Sequence, residues 1–193
     1  MIGRIKALVL AVVNRVALGF GHLSLSWILW RTGPRPMTVL DVDNTLSDSW
    51  PTLVDRVASE RERLAGLAPL PGMAAAAHDT AVARGDVIVY LTHRSFWYEP
   101  LTVRWLRRAG FGASSLRVIL VPSAAAKLPF LRRIADGSRR VEYWDDLSRG
   151  TELGTTILYA EVIDEVRRLP LTYHDIDEIA AVTAAAGLVR DDR

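Results

Sequence analysis

Four short apolar runs, set apart by segments long enough to be helices, constrain this 193-residue chain more than any other feature. They are Met37-Thr-Val-Leu40, Asp86-Val-Ile-Val-Tyr-Leu91, Leu116-Arg-Val-Ile-Leu-Val121 and Val141-Glu-Tyr-Trp144. Runs of four to six residues rich in Val, Ile and aromatics read as buried strands. Strands alternating with helical stretches predict an α/β fold of three layers around a mostly parallel sheet of about five strands. Half of the residues are apolar, which is a globular composition, and the length suits one domain with a substantial core plus an appendage. There is no cysteine, so disulfides and thiolate metal sites are excluded.

Each run ends in polar residues. The first is followed by Asp41-Val-Asp-Asn-Thr45, the second by Thr92-His-Arg94, the third by Pro122-Ser123 and then Lys127, the fourth by Asp145-Asp146. In open α/β sheets ligands bind at the C-terminal ends of the strands. Two carboxylates two residues apart repel each other, and Asp and Asn are poor strand formers. A divalent cation such as Mg²⁺ would mask that repulsion. So would a demand for one nucleophile and one proton carrier: Asp41 can attack phosphorus while Asp43 protonates the leaving oxygen and later activates water.

The ordered set of nucleophilic Asp, hydroxyl, Lys and acidic pair resembles the haloacid dehalogenase-like (HAD) phosphatases, over about residues 37 to 150. The resemblance implies a three-layer Rossmann-like fold with a minimal cap, and Mg²⁺-dependent hydrolysis of a phosphomonoester through an aspartyl-phosphate. It makes Asp41 the nucleophile, Asp43 the general acid and base, Thr92 a hydrogen-bond donor to the phosphoryl group, and Lys127 the cation that neutralises it. It makes Asp145 a metal ligand together with Asp41, Asp146 and the Asp43 backbone carbonyl. Asn44 stands where the motif more often has Gly, and we count it with Arg94 among the substrate-binding residues, Arg94 as a phosphate partner. Other readings of the same fold are a catalytically weak phospho-ligand-binding or membrane-tethered scaffold, and a phosphatase for lipid-linked phosphates. The substrate class stays open among small-molecule, nucleotide and lipid-linked phosphates; no specific nucleic-acid signal is present.

Lys127 stands out because the chain has 22 Arg and only two Lys. A compact ammonium fits between a carboxylate and a phosphate where a planar guanidinium would not. Pro129 suits the first turn of the helix that follows.

Residues 1–36 differ from the rest. The first 40 residues carry Arg4, Lys6, Arg15, Arg31 and Arg35 and no acid, while the remainder has 19 basic and 22 acidic residues. Residues 5–30 read as one apolar helix with a polar stripe of Arg4, Arg15, His22 and Ser26, and Gly33-Pro-Arg-Pro36 as a linker. We expect a division into residues 1–36, helix and linker, and residues 37–193, the phosphatase domain. The location expected is cytoplasmic, with residues 1–30 either in peripheral contact with a membrane or protein partner or packed against the body of the domain. Further helices are expected over Thr52 to Leu64, Met73 to Arg84, Glu161 to Leu169 and Asp175 to Ala186, with short strands at Thr155 to Tyr159 and Leu171 to Tyr173. Phe96 and Trp97 are expected to open a helix and pack into the core, and His93 to point away from the motif.

Overall fold

All four apolar runs form strands in the computed structural model, which describes residues 2–49, 59–149 and 156–191. The main sheet has five parallel strands in the order β5 (Val118–Leu120), β4 (Val87–Thr92), β1 (Met37–Leu40), β6 (Val141–Trp144), β9 (Thr172–His174). Two antiparallel strand pairs stand apart from it, β2 (Ser47–Asp48) with β3 (Ala68–Pro69) and β7 (Ser148–Arg149) with β8 (Ile157–Leu158). β3 lies between the helices expected over Thr52 to Leu64 and Met73 to Arg84, and β8 lies within the strand expected over Thr155 to Tyr159.

The helices are α1 (Ile2–Thr32), α2 (Glu60–Gly66), α3 (Thr80–Arg84), α4 (Glu99–Arg108), α5 (Leu128–Gly137), α6 (Ala160–Arg167) and α7 (Ile176–Asp191). Residues 50–58, which hold most of the helix expected over Thr52 to Leu64, lie outside the described residues. Its end is α2, where the Ser59 hydroxyl accepts a hydrogen bond from the Glu62 backbone N–H at 3.2 Å. The helix expected over Met73 to Arg84 is a π turn, Ala74–Asp79, running into α3, and Gly85 closes it at φ +73°. Asp175 caps α7 by accepting from the N–H groups of Asp177 and Glu178 at 3.1 and 3.4 Å. The Glu178 side chain pairs instead with His174.

Alternation along the strands builds a core on each face of the sheet. Met37, Val39, Val87, Val89 and Leu91 face one side and meet Phe130, Leu131 and Ile134 of α5 and Val162, Ile163 and Val166 of α6. Leu40, Ile88 and Tyr90 face the other and meet Leu64, Met73, Val103, Trp105 and Leu106. The C-terminal half of α1 belongs to the first core: Leu25 and Ile28 are 0% and 3% exposed. Gly21 allows this approach, since a Cβ there would stand 3.0 Å from Ile119 and 3.2 Å from Phe130. Two residues of the polar stripe, His22 and Ser26, meet α5. His22 stacks on Phe130 with ring centroids 4.2 Å apart, and Arg133 donates to the Ser26 hydroxyl at 2.8 Å.

Chain order in the sheet reverses at β1, which has β4 on one side and β6 on the other. A crevice opens at the C-terminal end of such a switch point. The Asp41 N–H donates to the Trp144 carbonyl at 2.9 Å, so the end of β1 is tied to the end of β6 just before Asp145.

Candidate active site

Leaving β1, the chain turns at once. The N–H groups of Leu46 and Ser47 donate to the Val42 carbonyl at 3.1 and 2.9 Å, and Asn44 sits at φ +55°. That left-handed conformation favours Gly and, among other residues, Asn. Asn44 is thus a workable replacement where the motif more often has Gly. Its side-chain oxygen also accepts from the Ser49 hydroxyl at 2.8 Å, which braces the turn.

The turn brings Asp41, Asp43, Asn44, Thr92, Lys127, Asp145 and Asp146 to one cavity of about 90 Å³. Its centre is Lys127, which donates to Asp41 Oδ1 at 2.8 Å and to Asp145 Oδ2 at 2.5 Å. All three side chains are buried. Asp145 is fixed further by the Leu147 N–H, donating at 2.9 Å, and by the Tyr143 hydroxyl. Asp146 accepts from the Ser148 hydroxyl, and its own N–H donates to Thr45 Oγ1 at 3.2 Å. Leu147, directly after the acidic pair, is held at φ +42°, a strained backbone of the kind that gathers at functional sites.

Oxygens of Asp41, Asp145 and Asp146 lie within 4.8 Å of one another. Three buried carboxylates therefore face one ammonium, and the charge is not balanced. Burial pushes the Asp41 carboxyl up to about 7 against the pull of Lys127, with Asp145 and Asp43 adding to the rise. Asp146 is raised well above the usual carboxylate range by burial and then by Asp145 and Asp41. Lys127 is held above its ordinary value because its two carboxylates outweigh the effect of burial. A closely spaced oxygen donor set with excess negative charge fits a hard divalent cation.

Asp43 is set differently. Arg94 grips it with two parallel hydrogen bonds, Nε to Oδ2 at 2.7 Å and Nη2 to Oδ1 at 2.8 Å. Burial alone would raise this carboxyl, but the Arg94 charge and hydrogen bonds hold it below its ordinary value. The third nitrogen of Arg94 donates to Thr102 of α4 at 3.1 Å. Arg94, expected as a phosphate partner, is thus brought to the site with its guanidinium engaged by Asp43.

The Thr92 hydroxyl is buried, lines the cavity and has no hydrogen-bond partner among the described residues. An unpartnered buried hydroxyl is costly unless a ligand satisfies it. His93, expected to point away, is exposed and lines the same cavity. Phe96 and Trp97 correct another expectation. They open a helix through the 3₁₀ turn Phe96–Tyr98, but they stay out of the core, at 37% and 67% exposed. The reading of the sequence passed over Thr45, Tyr143 and Ser148, which position the acidic pair. Tyr143 had a signal, because residues two apart on a strand share a face. Thr45 closes the Asp41-Val-Asp-Asn-Thr45 run without being given a role, and Ser148, two residues past Asp146, had no signal.

Neither a family model nor a curated protein matches the sequence. Among solved structures the chain is similar to the class C acid phosphatase from Bacillus anthracis with tungstate bound, with a TM-score of 0.51 at 16% identity over 95% of this chain and 90% of that one. This chain shares the fold of that acid phosphatase. A second structure of the same enzyme aligns with a TM-score of 0.49 at 16% identity, over 94% of this chain and 89% of that one. The α/β fold implied by the resemblance is the fold observed.

Proposed function

We propose that the protein is a Mg²⁺-dependent phosphomonoester hydrolase that works through an aspartyl-phosphate on Asp41. The observation that carries this reading is the buried bridge of Lys127 between Asp41 and Asp145, beside the unpartnered hydroxyl of Thr92. A nucleophilic carboxylate, a compact cation and a free hydroxyl in one small cavity make a receptor for a phosphoryl group. The phosphatase name of the structural neighbour agrees with it.

In the first half-reaction an Asp41 oxygen forms a bond to phosphorus as the bond to the ester oxygen breaks. Asp43 gives that leaving oxygen a proton. In the second, Asp43 takes a proton from water, the water oxygen bonds to phosphorus, and the Asp41–phosphorus bond breaks to regenerate the carboxylate. Lys127 and Thr92 hold the phosphoryl oxygens throughout. The grip of Arg94 keeps Asp43 ionised at neutral pH, which suits the second step. Proton donation in the first step requires Arg94 to yield and Asp43 to take up a proton first, which a monoanionic phosphomonoester can supply, and the negative charge of the arriving phosphate would draw the guanidinium away. Asp41, Asp145 and Asp146, with the Asp43 backbone carbonyl, would hold a Mg²⁺ whose charge offsets the three carboxylates and favours charge build-up on the phosphoryl oxygens. Residues 37–193 would form the hydrolase domain, with residues 1–36 as a helix and linker laid against it.

The test is phosphate release from a panel of phosphomonoesters, with Mg²⁺ and with chelator. Release that depends on Mg²⁺ and is lost in Asp41→Asn supports the proposal. A folded protein that releases no phosphate from any ester in Mg²⁺ would refute it.

A further inference from the structure

Thirteen large apolar side chains are exposed among the described residues, and ten of them form one surface. Seven run along α1 from Val9 to Trp30, Leu116 adjoins them, and Phe96 and Trp97 continue the surface; only Val82, Ile157 and Leu158 lie elsewhere. At about 100° per residue the seven on α1 fall within roughly 80° of each other, on the side away from Gly21 and Leu25. Phe20, Leu23, Trp27, Trp30 and Leu116 wall an open apolar groove of about 590 Å³. Phe20 and Leu116 also wall a second hollow of about 250 Å³ that reaches Phe96 and Leu120. Trp97 meets Phe96 edge-on, with ring centroids 6.2 Å apart.

This surface leads to the catalytic end of the sheet. Phe96 is two residues past Arg94, and Leu120 is the last residue of β5. At the other end of the helix, Ile28 and Arg31 border Val87, the first residue of β4. So α1 runs antiparallel to the strands, and residues 2–16 project past the end where the site opens, by about 22 Å at 1.5 Å per residue.

Charge identifies what covers the surface. Residues 1–40 hold five cations and no acid. Exposed Arg15 flanks the apolar stripe on one side; Arg31 flanks it on the other and lies 5.0 Å over the Trp27 ring. Arg117 shares a cleft with Arg31 and Trp27. Among the described residues lining these hollows, the one acid is Glu99, at the site end. A second copy of α1 would offer these cations no counter-charge, whereas an anionic bilayer offers both counter-charge and an apolar interior. The stretch Ala11–Thr32 is long and apolar enough to cross a membrane. However, Leu25 and Ile28 are buried in the protein core, so lipid cannot surround this half of the helix while it is docked.

We infer that α1, Leu116 and the Phe96–Trp97 pair seat the protein on an anionic bilayer, with α1 in the membrane plane and the catalytic end of the sheet at the headgroup layer. The substrate class this presents is a phosphomonoester carried at that layer, a consequence that rests on the hydrolase reading above.

The experiment is flotation of the full chain with phosphatidylcholine vesicles and with phosphatidylcholine–phosphatidylglycerol vesicles, beside hydrolysis of soluble p-nitrophenyl phosphate. The wild type should float with the anionic vesicles and less with the neutral ones. Leu23 and Trp30 are 67% and 80% exposed, so Leu23→Glu/Trp30→Glu should fold normally. That variant should bind anionic vesicles about tenfold more weakly or worse while hydrolysing the soluble ester at the wild-type rate. Trp97→Ser, at the site end, should weaken binding several-fold. Three results would overturn the inference: no flotation with anionic vesicles, equal flotation of Leu23→Glu/Trp30→Glu, or a dimer in light scattering that this variant dissociates while vesicles are ignored. Unchanged binding of Trp97→Ser would overturn the orientation. Vesicle binding is read without turnover, so docking with no hydrolysis refutes only the hydrolase reading, and hydrolysis with no docking refutes only this one.

Discussion

Replacing Lys127 by Met removes the cation that bridges two of three clustered buried carboxylates, and its cost should depend on pH. The ammonium stands 2.8 Å from Asp41 and 2.5 Å from Asp145. At an effective dielectric constant near 20 each contact is worth roughly 6 kcal/mol in gross Coulomb terms, most of it offset by the desolvation of the ions. Breaking such a buried pair from one side leaves a net loss of about 3–5 kcal/mol. The pH dependence follows from Asp41, whose folded pKa of about 7 lies above its unfolded value of 3.8. Between these values the folded chain holds a proton that the unfolded chain releases, so stability falls as pH rises through that window. Losing Lys127 removes the charge and the hydrogen bond that pull this pKa down, so the window should extend to higher pH. The variant should therefore lose the full amount near pH 8 in chelator and less near pH 5, where Asp41 is protonated and only the contact with Asp145 is at stake. Millimolar Mg²⁺ should restore part of the loss at pH 8 if the carboxylates hold a cation. Urea unfolding of both proteins at the two pH values, followed by circular dichroism, reads this directly. A loss below about 1 kcal/mol at pH 8, or an equal loss at both pH values, would refute the buried bridge.

Asp41→Asn keeps the shape of the nucleophile without its charge, and turnover of the best ester should fall by about a thousandfold or more with the circular dichroism spectrum unchanged. Asp145→Ala should raise the Mg²⁺ concentration needed for half-maximal activity at least tenfold, as seen in a metal titration of the initial rate; an unchanged requirement removes Asp145 from the metal site. Asp43→Asn should slow an alkyl phosphate more than p-nitrophenyl phosphate, whose leaving group needs no proton, and equal slowing of both would argue against an acid role. Leu25→Ala should cost about 2–5 kcal/mol in urea unfolding, whereas Leu23→Ala, two residues away but facing outward, should cost under about 0.5 kcal/mol.

Much of the fold could be read from local pattern. Met37–Leu40 and Val141–Trp144 form the strands their apolar runs predict, and β4 and β5 differ from prediction only at their ends: Asp86, Leu116 and Arg117 precede the strands, Thr92 extends β4, and Val121 follows β5. Hydrophobic period and turn residues are properties of neighbours in sequence, so they survive without knowledge of the fold. The order of polar strand ends likewise singled out Asp41, Asp43, Thr92, Lys127, Asp145 and Asp146, because a parallel sheet brings all its C-terminal ends to one edge. Tertiary structure alone decided which charges meet. Arg94 and Asp43 are 51 residues apart, and no local rule ties that guanidinium to a carboxylate rather than to solvent or ligand. The same holds for Phe96 and Trp97. Their composition predicts burial, but the faces of the sheet are already filled by α4 and α5, and the aromatic pair is left at the rim beside α1. Burial and long-range pairing depend on the space that the rest of the chain leaves free, which is set only once the layers have packed.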